Sequence, residues 1–146
     1  MKDLLHFLKS QRSMAIASVD ENIWIANIFY GVDDKLKIYF ISPKDTLHSK
    51  HFLKNSKVAF SVIWYDKNDF ENRKGVQGRG ICKLAKSDKD IKKGVELHNK
   101  NFPVFKKRLT FDYIKKGNSC VWVIEPKFIK YWDDSLYKDK IKEFNF

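Results

Sequence analysis

The sequence predicts a mainly β fold, a small antiparallel barrel with helices at its ends. Strand-like runs rich in Ile, Val, Phe and Trp recur along the chain, and helical patterns occupy several of the connections between them. The first three strand-like runs are joined only by short turns containing Asp and Asn, whereas a doubly wound fold needs helices between successive parallel strands. With 146 residues and 43% hydrophobic side chains, the chain is predicted to form a single domain, 1–146.

The first half of the chain is predicted to form a helix, three strands and a second helix. The segment "KDLLHFLKSQ" places its leucines on one face of a short amphipathic helix. The runs "SMAIASV", "NIWIANIFYG" and "LKIYFIS" then predict an antiparallel meander. Pro43 blocks continuation of the third strand, and a helix is predicted from about Thr46 to Asn55 because Asp45 or Thr46 can cap its first turn.

The second half returns to strands and contains one longer helix. The runs "KVAFSVIWYD" and "GVQGRGICKLA" predict strands, and "SDKDIKKGVELHNKNF" predicts a surface helix that opens with a capping box at Ser87. A helical turn is expected after Pro103, through "VFKKRL". The runs "SCVWVIEP" and "FIKYWDD" predict final strands separated by Pro126, and the polar tail "YKDKIKEFNF" is expected to fray or to dock on a partner subunit. Seven runs are thus strand-like, and the predicted architecture is a six-stranded antiparallel split barrel.

Composition narrows the classes of function. The net charge of +11 arises mainly from lysine, with four arginines, so a nucleic-acid partner is disfavoured relative to anionic small ligands such as phosphates. No apolar run reaches the roughly 18 residues needed to span a bilayer, and a cytoplasmic protein without membrane attachment is expected. Cys82 and Cys120 lie in separate strand-like runs and are predicted to be buried thiols. No motif for a nucleophilic hydrolase is present.

The stretch "ISPKDTLHSKHFLKNSKVAF" raises the question of an anion site. Thr46 and Lys50 lie four residues apart on one helical face with Ser49 beside them, and the start of a helix offers free N–H groups to a phosphate. By spacing alone, simple helix capping is the favoured role. His48 and His51 have the spacing of metal ligands, but no third ligand is near them in the sequence, so no metal site is predicted.

The strand "GVQGRGICKL" places Gln77 and Arg79 on one face, opposite Val76 and two glycines. Gln77 could hydrogen-bond a ring or sugar, and the same alternation describes the solvent-facing side of a half-buried strand. The glycines match neither a P-loop nor a dinucleotide fingerprint.

Taken in order, "RSMAIASVDENIWIANIFYGVDDKLKIYFIS", "DTLHSKHFLKNSKVAFSVI" and "GVQGRGICKL" resemble the pyridoxamine 5′-phosphate oxidase-like family of flavin-binding split barrels. The later "HNKNFPVFKKRL" and "CVWVIEPKFIKYWDD" resemble a small, uncharacterised bacterial branch of it. The resemblance covers roughly residues 4–134 and implies a six-stranded split barrel that forms a homodimer with FMN at the subunit interface.

The resemblance also implies roles for particular residues. The phosphate ligands correspond to Thr46, Ser49 and Lys50, and the family's glutamine near the flavin corresponds to Gln77. The edge of the second strand, at Ala26, Asn27 and Ile28, matches the segment that lines the isoalloxazine ring. Trp122 and Trp132 are further candidates for the ring or the subunit interface.

The chain departs from true pyridoxamine phosphate oxidases in two ways. No arginine follows Arg108, where those enzymes carry a substrate-binding arginine, and Ser49 precedes Lys50 where they usually place arginine. Oxidation of vitamin B6 is therefore disfavoured. The leading hypothesis is an FMN-dependent oxidoreductase or flavin carrier of unknown substrate, in which the flavin performs the redox step. Two alternatives remain: a haem-binding split barrel with His48 or His51 as axial ligand, and a basic nucleic-acid-binding barrel.

Overall fold

Seven strands and five helices make up the computed structural model, which describes residues 1–146. The strands are β1 (Ser13–Val19), β2 (Ile23–Val32), β3 (Ile38–Pro43), β4 (Lys57–Asp66), β5 (Asp69–Leu84), β6 (Ser119–Asp133) and β7 (Ile141–Asn145). The helices are α1 (Lys2–Ser10), α2 (Leu47–Lys54), α3 (Asp88–Asn101), α4 (Phe111–Lys116) and α5 (Asp134–Tyr137). None of these helices has the length and apolar content needed to cross a bilayer.

All strand pairs are antiparallel, and the sheet closes into a barrel. The strand order is β3-β2-β1-β4-β5-β6, and β3 also pairs with β6, which joins the two ends. The first three strands form the predicted meander. Six strands therefore make the barrel, as the sequence predicts, and β7 is added along β6.

The end of the chain differs from the sequence prediction. The expected break at Pro126 does not occur, because β6 continues through it. The register against β5 shifts there, so that Gly80 pairs with Pro126 and Arg79 with Phe128. Lys127 is the extra residue of this bulge, and a bulge tolerates a proline that has no N–H to donate. The predicted fraying of the tail does not occur, since Tyr137 ends α5 and residues 141–145 form β7 along β6.

The predicted helical turn after Pro103 is also wrong. Residues 103–110 form turns and irregular backbone, and the helix begins at Phe111. Thr110 determines this start, since its hydroxyl accepts from the N–H of Tyr113. The predicted cap at Ser87 is confirmed, because its hydroxyl accepts from the N–H of Asp90.

The apolar side chains form two cores. The larger one fills the barrel interior and includes both predicted buried cysteines, Cys82 and Cys120. The smaller one lies outside the barrel, where Ile91 and Val95 of α3 pack towards β3 and β6. Gly94 permits this close approach, since a Cβ at that position would lie 2.5 Å from a methyl group of Val121. The barrel is thus filled, and any ligand of ordinary size must bind at its ends or on its outer surface.

Candidate functional site

The start of α2 carries a cluster of hydroxyl groups and an imidazole, which we call the hydroxyl cluster: Ser42, Thr46, His48 and Ser49. Thr46 caps the helix, with its Oγ1 accepting from the Ser49 N–H at 3.3 Å. The hydroxyl of Thr46 also lies 2.7 Å from the Ser49 Oγ. The Nε2 of His48 lies 2.8 Å from the Ser42 Oγ and 3.1 Å from the Thr46 Oγ1. The predicted cap and the neighbouring Ser49 are therefore in direct contact.

His48 is held neutral by its surroundings. Burial lowers the pKa of its imidazole, and the nearby His51 lowers that pKa further. A neutral imidazole can donate from one ring nitrogen and accept at the other, so it can complete a chain of hydroxyl hydrogen bonds. The sequence pattern indicated His48 only as a possible metal or haem ligand, because its contact with Ser42 depends on the fold.

Lys50 lies next to the hydroxyl cluster but is exposed and makes no ion pair. Its backbone N–H donates to the Thr46 carbonyl, which places it on the first turn of α2. The helix begins at Leu47, and the N–H groups of Leu47 and His48 have no acceptor, whereas that of Ser49 donates to Thr46. A free ammonium group and the positive end of the helix dipole therefore lie at the same end of α2.

The other end of α2 is fixed to the barrel. His51 is buried, and its Nδ1 lies 3.0 Å from the hydroxyl of Ser18 in β1. Lys54 pairs with Asp20 at 2.8 Å just beyond the end of β1. The helix thus crosses one end of the barrel, from the end of β3 to the end of β1, and its N-terminus has a defined position.

The three residues of β2 that the resemblance places at the flavin ring, Ala26, Asn27 and Ile28, lie on two opposite surfaces of the sheet. Ile28 is buried in the barrel, Ala26 is half-buried against the same core, and Asn27 is exposed on the outer surface. Of these side chains, only that of Asn27 is freely available to a ligand outside the barrel. The backbone of all three belongs to the β1–β2 ladder.

Gln77 lies on the same outer surface as Asn27 but some distance away. The strand register places Asn27, Ala15, Ser61 and Gln77 in one row across β2, β1, β4 and β5. Three strand spacings of about 4.8 Å separate the ends of this row by about 14 Å. Gln77 lines a separate cleft of about 440 Å³ with Trp132, Arg73 and Ile63. A single chain therefore does not bring the predicted phosphate and ring residues into one pocket.

The predicted role of Trp122 as a direct ligand contact does not fit its position. Its side chain is 0% exposed in the barrel core, and its Nε1 donates to the Ser42 carbonyl at 3.2 Å. Trp122 thereby fixes the backbone of Ser42, whose hydroxyl contacts His48 in the hydroxyl cluster. Ser49 is also 0% exposed. Its contact with Thr46 makes it a positioning residue within the cluster.

A wide surface cleft of about 850 Å³ contains none of the predicted site residues. It lies between the β2–β3 turn and α3 and is lined almost entirely by lysine, aspartate and glutamate side chains. Such a wide, charged surface lacks the apolar lining usual in cofactor pockets. We therefore place the candidate site at the start of α2 and on the adjoining outer surface.

A closed antiparallel barrel with a capped helix across one end defines a split-barrel protein. A family model described as pyridoxamine 5′-phosphate oxidase matches residues 1–133. The chain therefore belongs to the pyridoxamine 5′-phosphate oxidase family, in agreement with the resemblance of its motifs.

Individual relatives agree with this assignment. A UPF0306 protein from Klebsiella pneumoniae is 30% identical over 120 residues, covering 82% of this chain and 74% of the relative. A heme binding protein from Mycobacterium smegmatis superimposes with a TM-score of 0.73 at 13% identity, covering 93% of this chain and 53% of that protein, so this chain spans about half its length. A FAD-binding protein from Mesorhizobium loti superimposes with a TM-score of 0.68 at 11% identity, covering 88% and 90% of the two chains. At these identities the structural likeness establishes the fold.

Proposed function

We propose that the protein binds FMN as a homodimer and acts as a flavin-dependent oxidoreductase or flavin carrier. The observation that carries the proposal is the hydroxyl cluster at the start of α2, with Lys50 beside it. Family membership supports it, as does the likeness to a FAD-binding protein. Vitamin B6 is not the proposed substrate, since no arginine follows Arg108.

The donors at the start of α2 fit a phosphate group. The free N–H groups of the first turn and the Lys50 ammonium supply hydrogen bonds and positive charge. The hydroxyl of Thr46 is engaged with Ser49 and with the Pro43 carbonyl at 3.2 Å, so it contributes mainly by fixing the turn. The direct phosphate contacts are therefore assigned to the first-turn backbone and to Lys50, with Thr46 and Ser49 holding their geometry.

The outer surface of the barrel supports the proposed dimer. Ile25 and Phe29 of β2 and Ile63 of β4 are large, apolar and more than half exposed there. The small residues Ala17 and Ala59 continue the row of Ile25 across β1 and β4. An apolar surface with small residues beside large ones suits contact with a second copy of the same sheet.

A dimer would also allow Asn27 and Gln77 to contact the same ligand. The two residues lie too far apart in one chain to contact the same ring, so in the proposed dimer one subunit supplies the α2 phosphate site and β2, and the other supplies Gln77. When bound, the flavin supplies the two-electron redox chemistry. Gln77 would orient the ring by hydrogen bonding, and the apolar surface would exclude water from it.

Haem binding is less well supported by the geometry. The buried His51 uses its Nδ1 for Ser18, and His48 uses its Nε2 for the hydroxyl cluster. An axial role for His48 through Nε2 requires its contacts to be given up, and the free Nε2 of His51 belongs to a side chain that is only 6% exposed. The likeness to a heme binding protein thus concerns the fold.

The test is the absorbance spectrum and the bound-ligand mass of protein purified from cells supplied with riboflavin. The expected result is a flavin spectrum and the mass of FMN. Colourless protein that fails to quench the fluorescence of added FMN would contradict the proposal, and a Soret band would favour the haem alternative.

A further inference from the structure

A cavity of about 470 Å³ opens at the end of the barrel opposite α2. Its walls come from α1 and the residue after it, the end of β4, the first half of β5, the end of β6 and α5. The hydroxyl cluster and Lys50 lie at the other end, where β3 and β1 finish. The cavity is therefore separate from the proposed phosphate site.

Charged side chains face the barrel interior at this end. The register pairs Lys74 with Trp64 on one side and with Asp133 on the other. Lys74 and Asp133 lie two residues from the buried Val76 and Tyr131, so all of them point inward. The Lys74 Nζ lies 3.3 Å from Asp133 Oδ2, and the Asp133 side chain is only 3% exposed.

In the pair formed by Lys74 and Asp133, the carboxylate has all its hydrogen bonds, whereas the ammonium group does not. Asp133 accepts from the Tyr131 hydroxyl at 3.1 Å, the Ser135 hydroxyl at 2.5 Å and the Leu136 N–H at 3.3 Å, in addition to its pairing with Lys74. Its oxygens are therefore occupied. Asp133 is the only acceptor found for the Lys74 ammonium, which has three N–H donors.

Two further donors at the cavity are without partners. Neither the Trp64 indole N–H nor the His6 ring makes a hydrogen bond, and both residues line the cavity. Asp3 also lies at the rim, but it is exposed and already accepts from the Tyr137 hydroxyl. Lys74 and Trp64 thus offer unused donors to the cavity, whereas Gln11, which also lines it, carries a free amide oxygen.

Aromatic rings form the remaining walls. The ring centroids of Phe7 and Tyr131 are 5.7 Å apart, and the Lys74 Nζ lies 5.7 Å from the centroid of the Trp64 ring. Flat aromatic walls with a few convergent polar groups are typical of sites for small ring compounds. Capping of α5 accounts for Asp133, but it does not require the unused Lys74 donors or the aromatic cavity beside them.

We infer that this cavity binds a small aromatic carboxylate. The ring lies among Phe7, Trp64 and Tyr131, and the carboxylate accepts hydrogen bonds from Lys74 and from the Trp64 indole. The inference does not depend on flavin binding, because it uses none of the residues at the start of α2.

Benzoate is the probe, and the indole N–H signals in a ¹H–¹⁵N correlation spectrum are the readout. The chain has four tryptophans, and the signal that disappears in Trp64→Phe identifies Trp64. Benzoate is expected to shift the Trp64 signal saturably while leaving the signals of the buried Trp122 and of Trp24 in place. Benzylamine, which has the same ring with a cationic group, is expected to give no saturable shift.

Two matched variants complete the test. Lys74→Gln retains a donor for Asp133 and is expected to weaken benzoate binding at least tenfold, whereas Lys83→Gln, on the exposed face of the same strand, is expected to bind as the unaltered protein does. If Lys74→Gln fails to fold, reduced benzoate binding by Trp64→Phe in a calorimetric titration supports the inference, and undiminished binding overturns it. Absence of a saturable shift, an equal response to benzylamine, or full affinity in Lys74→Gln would also overturn it.

Discussion

The hydroxyl of Ser18 and the Nδ1 of His51 lie 3.0 Å apart, and both residues are buried. This contact fixes α2 to the barrel wall. Ser18→Ala leaves the imidazole nitrogen without a partner, so we expect it to lower the free energy of unfolding by about 1–2 kcal/mol. Urea denaturation followed by circular dichroism measures this change. The exposed Ser13, on the same strand, is the control, and equal effects of Ser18→Ala and Ser13→Ala would refute the role of the contact.

Lys50→Gln is expected to weaken FMN binding by about tenfold, because it removes the free ammonium at the start of α2. The side chain is exposed, so thermal stability should be almost unchanged. Quenching of flavin fluorescence gives the affinity. Lys67→Gln, at an exposed position in the β4–β5 turn, controls for the loss of one positive charge. Equal FMN affinities of the two variants would mean that Lys50 does not bind the phosphate and that the start of α2 has only a structural role.

Gly94→Ala is expected to destabilise the protein although alanine favours a helix by about 1 kcal/mol over glycine. The added Cβ would lie 2.5 Å from a methyl group of Val121, and overpacking of this kind costs about 1–3 kcal/mol. Adding Val121→Ala should recover part of the loss when the two variants are compared by thermal denaturation. Lys100→Ala, at an exposed position of α3, is the control. A raised melting temperature for Gly94→Ala alone would show that α3 can move away from β6.

Stability is expected to fall as the pH drops from 7.5 to 5. Burial lowers the pKa of His48 and of His98 in the folded state, with His51 adding to the effect at His48. The unfolded chain therefore binds more protons just below the ordinary histidine pKa, and stability rises with pH across this window. Melting temperatures at several pH values measure the slope, and His48→Gln should reduce it. A slope of the opposite sign would mean that folding raises the histidine pKa values.

Ile25→Lys is expected to convert the proposed dimer into a monomer and to abolish tight FMN binding. The residue is 65% exposed on the outer surface of β2, where the second copy would pack, and a buried unpaired charge opposes association. Light scattering coupled to size exclusion gives the mass in solution. Leu136→Lys, at a similarly exposed position on α5, should leave the mass unchanged. A monomeric mass for the unaltered protein at micromolar concentration would refute the dimer.

Local sequence signals predicted the elements that carry their own start signals. Thr46 and Ser87 cap α2 and α3 as expected, and the short Asp- and Asn-containing turns gave the β1–β3 meander correctly. Pro126 misled the prediction because its effect depends on the partner strand: a shift opposite Gly80 absorbs the missing N–H. Proline marks a break reliably only where no bulge can form.

The candidate site was predictable only in part. The helix start supplied Thr46, Ser49 and Lys50, since their proximity follows from helical spacing. The contact of His48 with Ser42 joins a helix to the preceding strand across Pro43, and the separation of Asn27 from Gln77 depends on the register of four strands. The burial of Trp122 likewise follows from barrel closure through β3 and β6. Local patterns contain no information about such long-range packing.

The final strand has a further consequence for how this molecule behaves among its neighbours. Through its first half β6 pairs with β3, and through its second half, from Phe128 to Trp132, it pairs with β7. Without residues 141–145, this second half would expose a row of unpaired N–H and carbonyl groups, which is a template for strand addition by other chains. By pairing with this part of β6, the last few residues protect the protein against edge-to-edge aggregation.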